Sequence, residues 1–194
     1  YFVVLEGIKL GELKTPELIC DQSLFVPSAP IISLKGTNFI SERWVLDGEE
    51  YDGQTLTVEL APCKSAGQGF GSATAQYMDI CLKFDTRTLT GYGLRFIRTP
   101  KYDRAVDVYL VEYQNGNVAP ITEAEKCLLF RRGCKVVLVA EGDTLSAKIT
   151  NGESVQTLCA TMLHPNRYGG LHLQHTGTTG ASATVVQSVR SEYR

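Results

Sequence analysis

The stretch Gly169-Gly-Leu-His-Leu-Gln-His-Thr-Gly-Thr-Thr-Gly-Ala-Ser-Ala-Thr-Val-Val-Gln-Ser-Val189 decides the fold class of this chain. It contains two strand-like runs separated by a Gly/Thr/Ser turn, and nothing in it would begin a helix. Before it, Lys135–Ala140 and Thr144–Thr150 are rich in β-branched and apolar residues and flank the turn Gly142-Asp143. The stretch therefore indicates the second half of an all-β sandwich.

The first half of the chain continues the same pattern. Further candidate strands are Gln54–Ala61, Tyr77–Phe84, Tyr92–Arg98 and Val106–Gln114. Asn115-Gly116 predicts a type I′ hairpin turn after the last of these. Alternation with period two is typical of a sheet with one buried and one wet face. We therefore predict a two-sheet antiparallel β-sandwich, a jelly roll, in which the amino- and carboxy-terminal segments pair near one edge.

Length and charge narrow the class of protein. A chain of 194 residues fits one sandwich domain, and we expect residues 1–194 to form it. The formal net charge of −2, from 19 basic and 21 acidic side chains, lacks the basic surplus that nucleic acid binding requires. No apolar run reaches the ~18 residues of a membrane span. Because the chain begins at Tyr1 rather than Met, we expect a domain of a longer or processed chain.

Six cysteines allow either free thiols or disulfides: Cys20, Cys63, Cys81, Cys127, Cys134 and Cys159. No Cys-x-x-Cys pair suggests a zinc or redox site, and mostly free thiols packed as small apolar groups are expected. Cys127 and Cys134 flank a turn-like Phe-Arg-Arg-Gly segment and form the first pair to test for a disulfide.

The hairpin over Val136–Ile149, with its Glu-Gly-Asp-Thr-Leu turn, resembles the late hairpin of concanavalin A-like and laminin-G-like jelly rolls. The Gly-Gly pair, alternating strand and small-residue loop from Gly169 onward are similar to the final strands of those domains. The resemblance covers residues 73–190. It implies a lectin-like accessory module of a bacterial polysaccharide-utilisation protein, located in the secreted, periplasmic or cell-surface fraction.

No catalytic residue is assigned. Glucanase jelly rolls carry Glu-x-Asp-x-x-Glu on one strand, and this run is absent. Polysaccharide lyases combine Arg, Gln, His and Tyr; Arg95, Gln174, His172 and Tyr109 supply these types without the families' spacing. A glycoside hydrolase or polysaccharide lyase therefore remains an alternative function.

No cofactor is expected, with a structural calcium ion as the minor alternative. The resemblance implies that hard oxygen ligands could hold such an ion, and Asp47, Asp52 and Asp143 are the candidates. Ordinary turn roles for these residues are favoured. His172 and His175 lie three apart on one strand, so their side chains face opposite ways and do not indicate a shared metal.

An aromatic and basic group is the candidate ligand site. Tyr109 and Tyr113 share one face of a strand by parity, and charge should keep Arg95 on a wet face beside them. Arg98 and Tyr102 would join them from the connecting loop. Aromatic rings stack on sugars, and an arginine would favour acidic sugars by pairing with a carboxylate. The alternative is that the tyrosines merely half-pack on the sheet.

These observations favour a non-catalytic carbohydrate-binding or accessory module whose partner is a polysaccharide or oligosaccharide. Beside the enzymatic alternative stands a structural domain that packs on a neighbouring catalytic domain. A concave face with exposed aromatics would support binding, convergent carboxylates would support catalysis, and a large apolar patch would support interdomain packing.

Overall fold

The computed structural model describes residues 2–6, 51–61, 68–70, 75–85, 87–100, 104–175 and 185–194. The strands are β1 (Phe2–Glu6), β2 (Gly53–Ala61), β3 (Tyr77–Asp85), β4 (Thr90–Ile97), β5 (Val106–Gln114), β6 (Asn117–Pro120), β7 (Glu125–Cys127), β8 (Lys135–Glu141), β9 (Thr144–Asn151), β10 (Ser154–Thr161), β11 (Gly170–His175) and β12 (Val185–Tyr193). A 3₁₀ turn spans Phe130–Arg132. In these ranges, no helix has the length and apolar character needed to cross a membrane.

The strands form two antiparallel sheets, which confirms the predicted β-sandwich. The first sheet has the order β1-β12-β2-β8-β9-β10, and the second has the order β11-β3-β4-β5-β6, with β7 also paired to β5. The two runs that predicted the fold thus lie in different sheets, as β11 and β12. β1 pairs with β12 at the edge of the first sheet, so the predicted pairing of the two terminal segments is also confirmed.

The two hairpin turns lie where the sequence predicted them, and their residues adopt the backbone angles that such turns require. Asn115 and Gly116 both have positive φ, at 49° and 81°, as a type I′ turn between β5 and β6 requires. Gly142, at φ 60°, opens the turn between β8 and β9.

The main core lies between the sheets. The first sheet contributes Leu56, Val58, Val136, Leu138, Leu145 and Ile149, and the second contributes Met78, Ile80, Leu82, Tyr92, Leu94, Phe96, Val108 and Leu110. All are fully buried. Burial of each large apolar side chain stabilises the fold by about 1.5–3 kcal/mol before entropy is counted.

The outer face of the second sheet is buried too, which corrects the expectation of one wet face on Tyr77–Phe84. Cys81, Phe84, Val111 and Tyr113 form a second apolar cluster there. The strand register shifts between Leu82 and Asp85, and this bulge turns Phe84 to the outer side. All of β3 after Tyr77 is consequently buried.

The outer cluster packs closely against two glycines of β4. A Cβ added to Gly93 would lie 2.5 Å from the Cys81 sulfur, and one on Gly91 would lie 2.6 Å from the Phe84 ring. These strand positions therefore need glycine for its small size, because the neighbouring side chains lie directly over the backbone.

The cysteines of the described residues, Cys81, Cys127, Cys134 and Cys159, are free thiols. Cys127 and Cys134 are both buried and form no disulfide, although the turn expected between them is present as the 3₁₀ segment. Burial, reinforced by the neighbouring Cys127, raises the pKa of Cys134 to about 12. Cys20 and Cys63 lie outside the described residues.

Candidate functional site

The outer face of the second sheet carries an ion pair at its centre. Strand register places Asp79 of β3 opposite Arg95 of β4, and Arg95 opposite Tyr109 of β5. Arg95 donates Nε to Asp79 Oδ1 and Nη2 to Asp79 Oδ2, each at 2.7 Å. The Tyr113 hydroxyl donates to Asp79 Oδ2 as well. Arg95, Tyr109 and Tyr113 therefore share one face, as parity requires.

Tyr113 is buried, which corrects the expectation that it faces solvent beside Arg95. It is 6% exposed because its ring packs against Phe84 and His172, with ring centres 5.3 and 5.7 Å apart. Burial, with Cys81 and Asp79 nearby, raises the pKa of the Tyr113 phenol above its ordinary value. The phenol is therefore a proton donor to Asp79 at all ordinary pH values.

Most of the Arg95 side chain is occupied by contacts within the protein. Its side chain is 15% exposed, and its guanidinium lies 4.1 Å from the centre of the Tyr77 ring. The Nε and Nη2 atoms, which form one edge of the guanidinium, both donate to Asp79. Burial alone would lower the pKa of Arg95, but the hydrogen bonds and charge of Asp79 outweigh it and raise the pKa. Only Nη1 remains for a ligand, so the two-pronged contact expected for an acidic sugar is not available on that edge.

Tyr109 is half-buried and lies at the boundary between this face and a pocket of about 740 Å³. The pocket is lined by Tyr109, Pro120, Ile121, Thr122, Glu123, Ala124, Thr161 and Leu163. It lies where β6 leaves β5 and β7 has not yet joined it, so the segment 121–124 forms one wall. The end of β10, in the opposite sheet, supplies the other wall.

The wall formed by residues 121–124 is fixed by hydrogen bonds to β5. Ile121 N donates to Leu110 O at 2.9 Å, and Leu110 N donates to Thr122 Oγ1 at 2.9 Å. These bonds tie the segment 121–124 to β5, and they leave the Thr122 hydroxyl proton available to a ligand. A pocket edge held in this way is already organised before a ligand arrives.

Leu163, which is 68% exposed, is held from both sides. Met162 N donates to Asp143 O at 2.6 Å, and His164 N donates to the Tyr92 hydroxyl at 2.8 Å. An apolar side chain exposed to this degree at a pocket rim suits contact with a ligand.

A buried carboxylate anchors this rim. Glu112 accepts from the Tyr92 hydroxyl at 2.5 Å, from His164 Nδ1 at 2.9 Å and from Gln114 Nε2 at 3.1 Å. Burial raises the pKa of Glu112, but the three hydrogen bonds outweigh it, and the net shift is downward. Glu112 is therefore ionised at neutral pH and fixes the segment that carries Leu163.

The remaining predicted residues are dispersed. Arg98 is half-buried in the loop after β4, where its backbone N donates to Gln76 O at 2.8 Å. Tyr102 lies outside the described residues.

Of the three calcium candidates, two lie within the described residues. Asp47 lies outside them. Asp52 is exposed and pairs with Arg167 at 3.2 Å, and the Asp143 carboxylate, also exposed, accepts a hydrogen bond from the Thr144 hydroxyl. The described ranges hold no cluster of three or more His, Cys, Asp or Glu fit for a metal, and calcium stays a prediction.

The two strand histidines face opposite sides of the second sheet, as predicted, and both are buried. His172 stacks on Phe84 in the outer cluster, with ring centres 4.6 Å apart. His175 lies 5.0 Å from the Phe70 ring in the main core. Burial lowers the pKa of His175 to about 3, so it is neutral at physiological pH.

Sequence reasoning missed the partners that complete the site. Asp79 has no role predicted from the sequence, although its strand pairs with that of Arg95. The pocket residues 120–124, Thr161 and Leu163 are not predicted from the sequence, because they meet from different sheets. Leu163, an apolar residue in a polar turn, was the available signal for this rim.

No protein-family model matches the chain, and no curated protein sequence matches it either. Its structure is similar to a carbohydrate-binding module of the Dit protein of Lactobacillus casei BL23 phage J-1, at 10% identity, with 78% of this chain and 69% of that chain covered and a TM-score of 0.54. It is also similar to the carbohydrate-binding module CBM66 of Bacillus subtilis, at 13% identity, 87% and 96% coverage and a TM-score of 0.53.

A third similar structure is a legume lectin-like domain of Entamoeba histolytica, at 12% identity, 100% and 90% coverage and a TM-score of 0.50. At such low identities, these likenesses establish the fold and nothing further. The chain has a concanavalin A-like β-sandwich, the fold of carbohydrate-binding modules and lectin-like domains.

Proposed function

We propose that this chain is a non-catalytic carbohydrate-binding domain whose ligand occupies the pocket at Tyr109 and extends toward Arg95. The fold supports a binding role, since the chain aligns with nearly the full length of an isolated carbohydrate-binding module. The observation that carries the proposal is the mixed lining of the pocket beside Tyr109.

This lining has the two kinds of surface that a sugar ring requires. Tyr109, Ile121 and Leu163 offer an aromatic and apolar surface for the C–H face of the ring. Thr122, Thr161 and Glu123 offer hydroxyl and carboxylate groups for its hydroxyls. A few polar groups in an apolar setting, on walls already held in place, are the usual features of a small-ligand site.

Binding is favoured over hydrolysis by the carboxylates near the pocket. Glycosidases generally use two carboxyl groups that flank the scissile bond. The lining of this pocket contains one, Glu123, and the nearby Asp79 and Glu112 are each buried in internal hydrogen bonds. A role outside the cytoplasm, in a polysaccharide-degrading system and beside a catalytic domain, completes the proposal and rests on the resemblance of the fold.

An oligosaccharide array followed by calorimetric titration tests this function. We expect saturable one-site binding of at least one oligosaccharide, without release of new reducing ends on prolonged incubation. Failure to bind any sugar across plant, microbial and animal glycans would overturn the proposal. Release of reducing ends would replace it with the enzymatic alternative.

A further inference from the structure

The electrostatics of the pocket identify a class of sugar, provided that the proposed binding function holds. Among the lining residues described above, Glu123 is the one Asp, Glu, Lys, Arg or His residue, and it is exposed. An anionic group in the pocket would therefore lie next to a carboxylate and gain only neutral hydroxyl donors in return. Like charges a few ångströms apart repel even in water, by about 1 kcal/mol at 4 Å.

The nearest buried cation does not offset this repulsion. Arg95 faces Tyr109 across the strand pair, but its Nε and Nη2 atoms both donate to Asp79. Because Asp79 is fully buried and ionically paired with Arg95, its negative charge opposes the positive charge of Arg95 at the pocket. The exposed Lys126 beyond the pocket is likewise paired with Asp107, at 2.5 Å.

A carboxylate is, by contrast, a good acceptor for uncharged sugars. The two oxygens of Glu123 can accept hydrogen bonds from adjacent sugar hydroxyls, and the Thr122 hydroxyl can donate to a third oxygen. Hydrogen bonds to an ionised acceptor are stronger than neutral ones. Binding at such a site is strengthened by the hydroxyls of a sugar and weakened by a carboxylate on the sugar.

We infer that the pocket at Tyr109 selects neutral oligosaccharides and discriminates against uronic acids through the charge of Glu123. This preference is the reverse of the acidic-sugar preference that an open Arg95 would have given. Specificity here comes from a repulsive element as well as from attractive contacts.

Matched trisaccharides that differ only at C6, with a hydroxymethyl group or a carboxylate, test the inference in the gluco, galacto and manno series. In each series that binds, we expect the neutral trisaccharide to bind about fivefold more tightly at low salt. We expect the ratio to shrink as the salt concentration rises, because the repulsion is screened.

The variant Glu123→Gln should bring the ratio close to one. The matched control is Glu125→Gln, which removes an exposed carboxylate two residues away that bonds Gln156 Nε2 at 3.0 Å and does not line the pocket. The control should keep the wild-type ratio.

Equal or tighter binding of the uronic trisaccharide by the wild type in any series would overturn the inference and leave the binding function intact. An unchanged ratio in Glu123→Gln would also overturn it. If neither member of any series binds, and the array is negative too, the proposed function itself is wrong and the inference fails with it.

Discussion

Arg95 and Asp79 form a two-bonded ion pair on the outer face of the second sheet, with both nitrogen–oxygen distances at 2.7 Å. The pair is the centre of a buried polar group that also contains the Tyr113 hydroxyl. This face is the outer one and does not lie between the sheets. The sequence predicted that it faces solvent, but the structure places a buried polar group there. The pair holds Arg95 in place and limits what it can offer to a ligand.

The variant Asp79→Asn should destabilise the fold by about 3 kcal/mol, because it leaves the Arg95 charge poorly solvated and without its ionic partner. Chemical denaturation at neutral pH measures the loss. The control is Glu192→Gln, which breaks a pair with Arg190 whose side chains are 42% and 50% exposed, and it should cost about 1 kcal/mol or less. Equal losses in the two variants would show that the Asp79 pair is not specially important.

Gly93→Ala should destabilise the fold by about 1–3 kcal/mol, because the added methyl group would overlap the Cys81 sulfur and Ile80 O. Gly53→Ala is the matched strand control. There the nearest atoms to an added Cβ are at 3.5 and 3.6 Å, which is ordinary contact. Thermal unfolding of both variants checks the prediction, and a Gly93→Ala protein as stable as Gly53→Ala would contradict the packing of the outer cluster.

The sequence predicted more of the fold than of the site, for physical reasons. Alternation in Val106–Gln114 depends on local residues only, and it placed Tyr109 and Tyr113 on one face. It could not reveal the bulge at Leu82–Asp85, where Lys83 adopts a φ of 50° and Phe84 turns outward. Alternation along a strand separates its two faces, but it does not show whether other side chains bury the outer face of the sheet.

The pocket was beyond local reasoning as well. Its walls come from residues 120–124 and from Thr161 and Leu163, about forty positions apart, and they meet because β10 faces β5 across the sandwich. Pairing Asp79 with Arg95 requires the register of β3 on β4, and the bulge between Leu82 and Asp85 shifts that register relative to the hairpin turn. The pocket contacts, unlike this pair within one sheet, depend on how the two sheets stack.

His175 should make stability depend on pH. Its pKa is about 3 in the folded protein and about 6.5 when unfolded, so only the unfolded chain gains this proton between those values. The contribution is therefore full above pH 6.5 and falls as the pH drops toward 3, by about 2 kcal/mol between pH 7 and pH 5. Denaturation of the wild type and of His175→Gln at both values measures the difference in slope. Parallel losses in the two proteins would contradict a buried, neutral His175.

The most direct test of the proposed binding site is the affinity of Tyr109→Ala for the oligosaccharide that the wild type binds. If Tyr109 is the aromatic anchor of the pocket, we expect a loss of about 1–3 kcal/mol, or about 5- to 150-fold in Kd, with cooperative unfolding retained. The control is Tyr168→Ala, a half-buried tyrosine in the segment between β10 and β11, outside the pocket lining, which should bind as the wild type does. A well-folded Tyr109→Ala protein that binds within twofold of the wild type would contradict the proposed site.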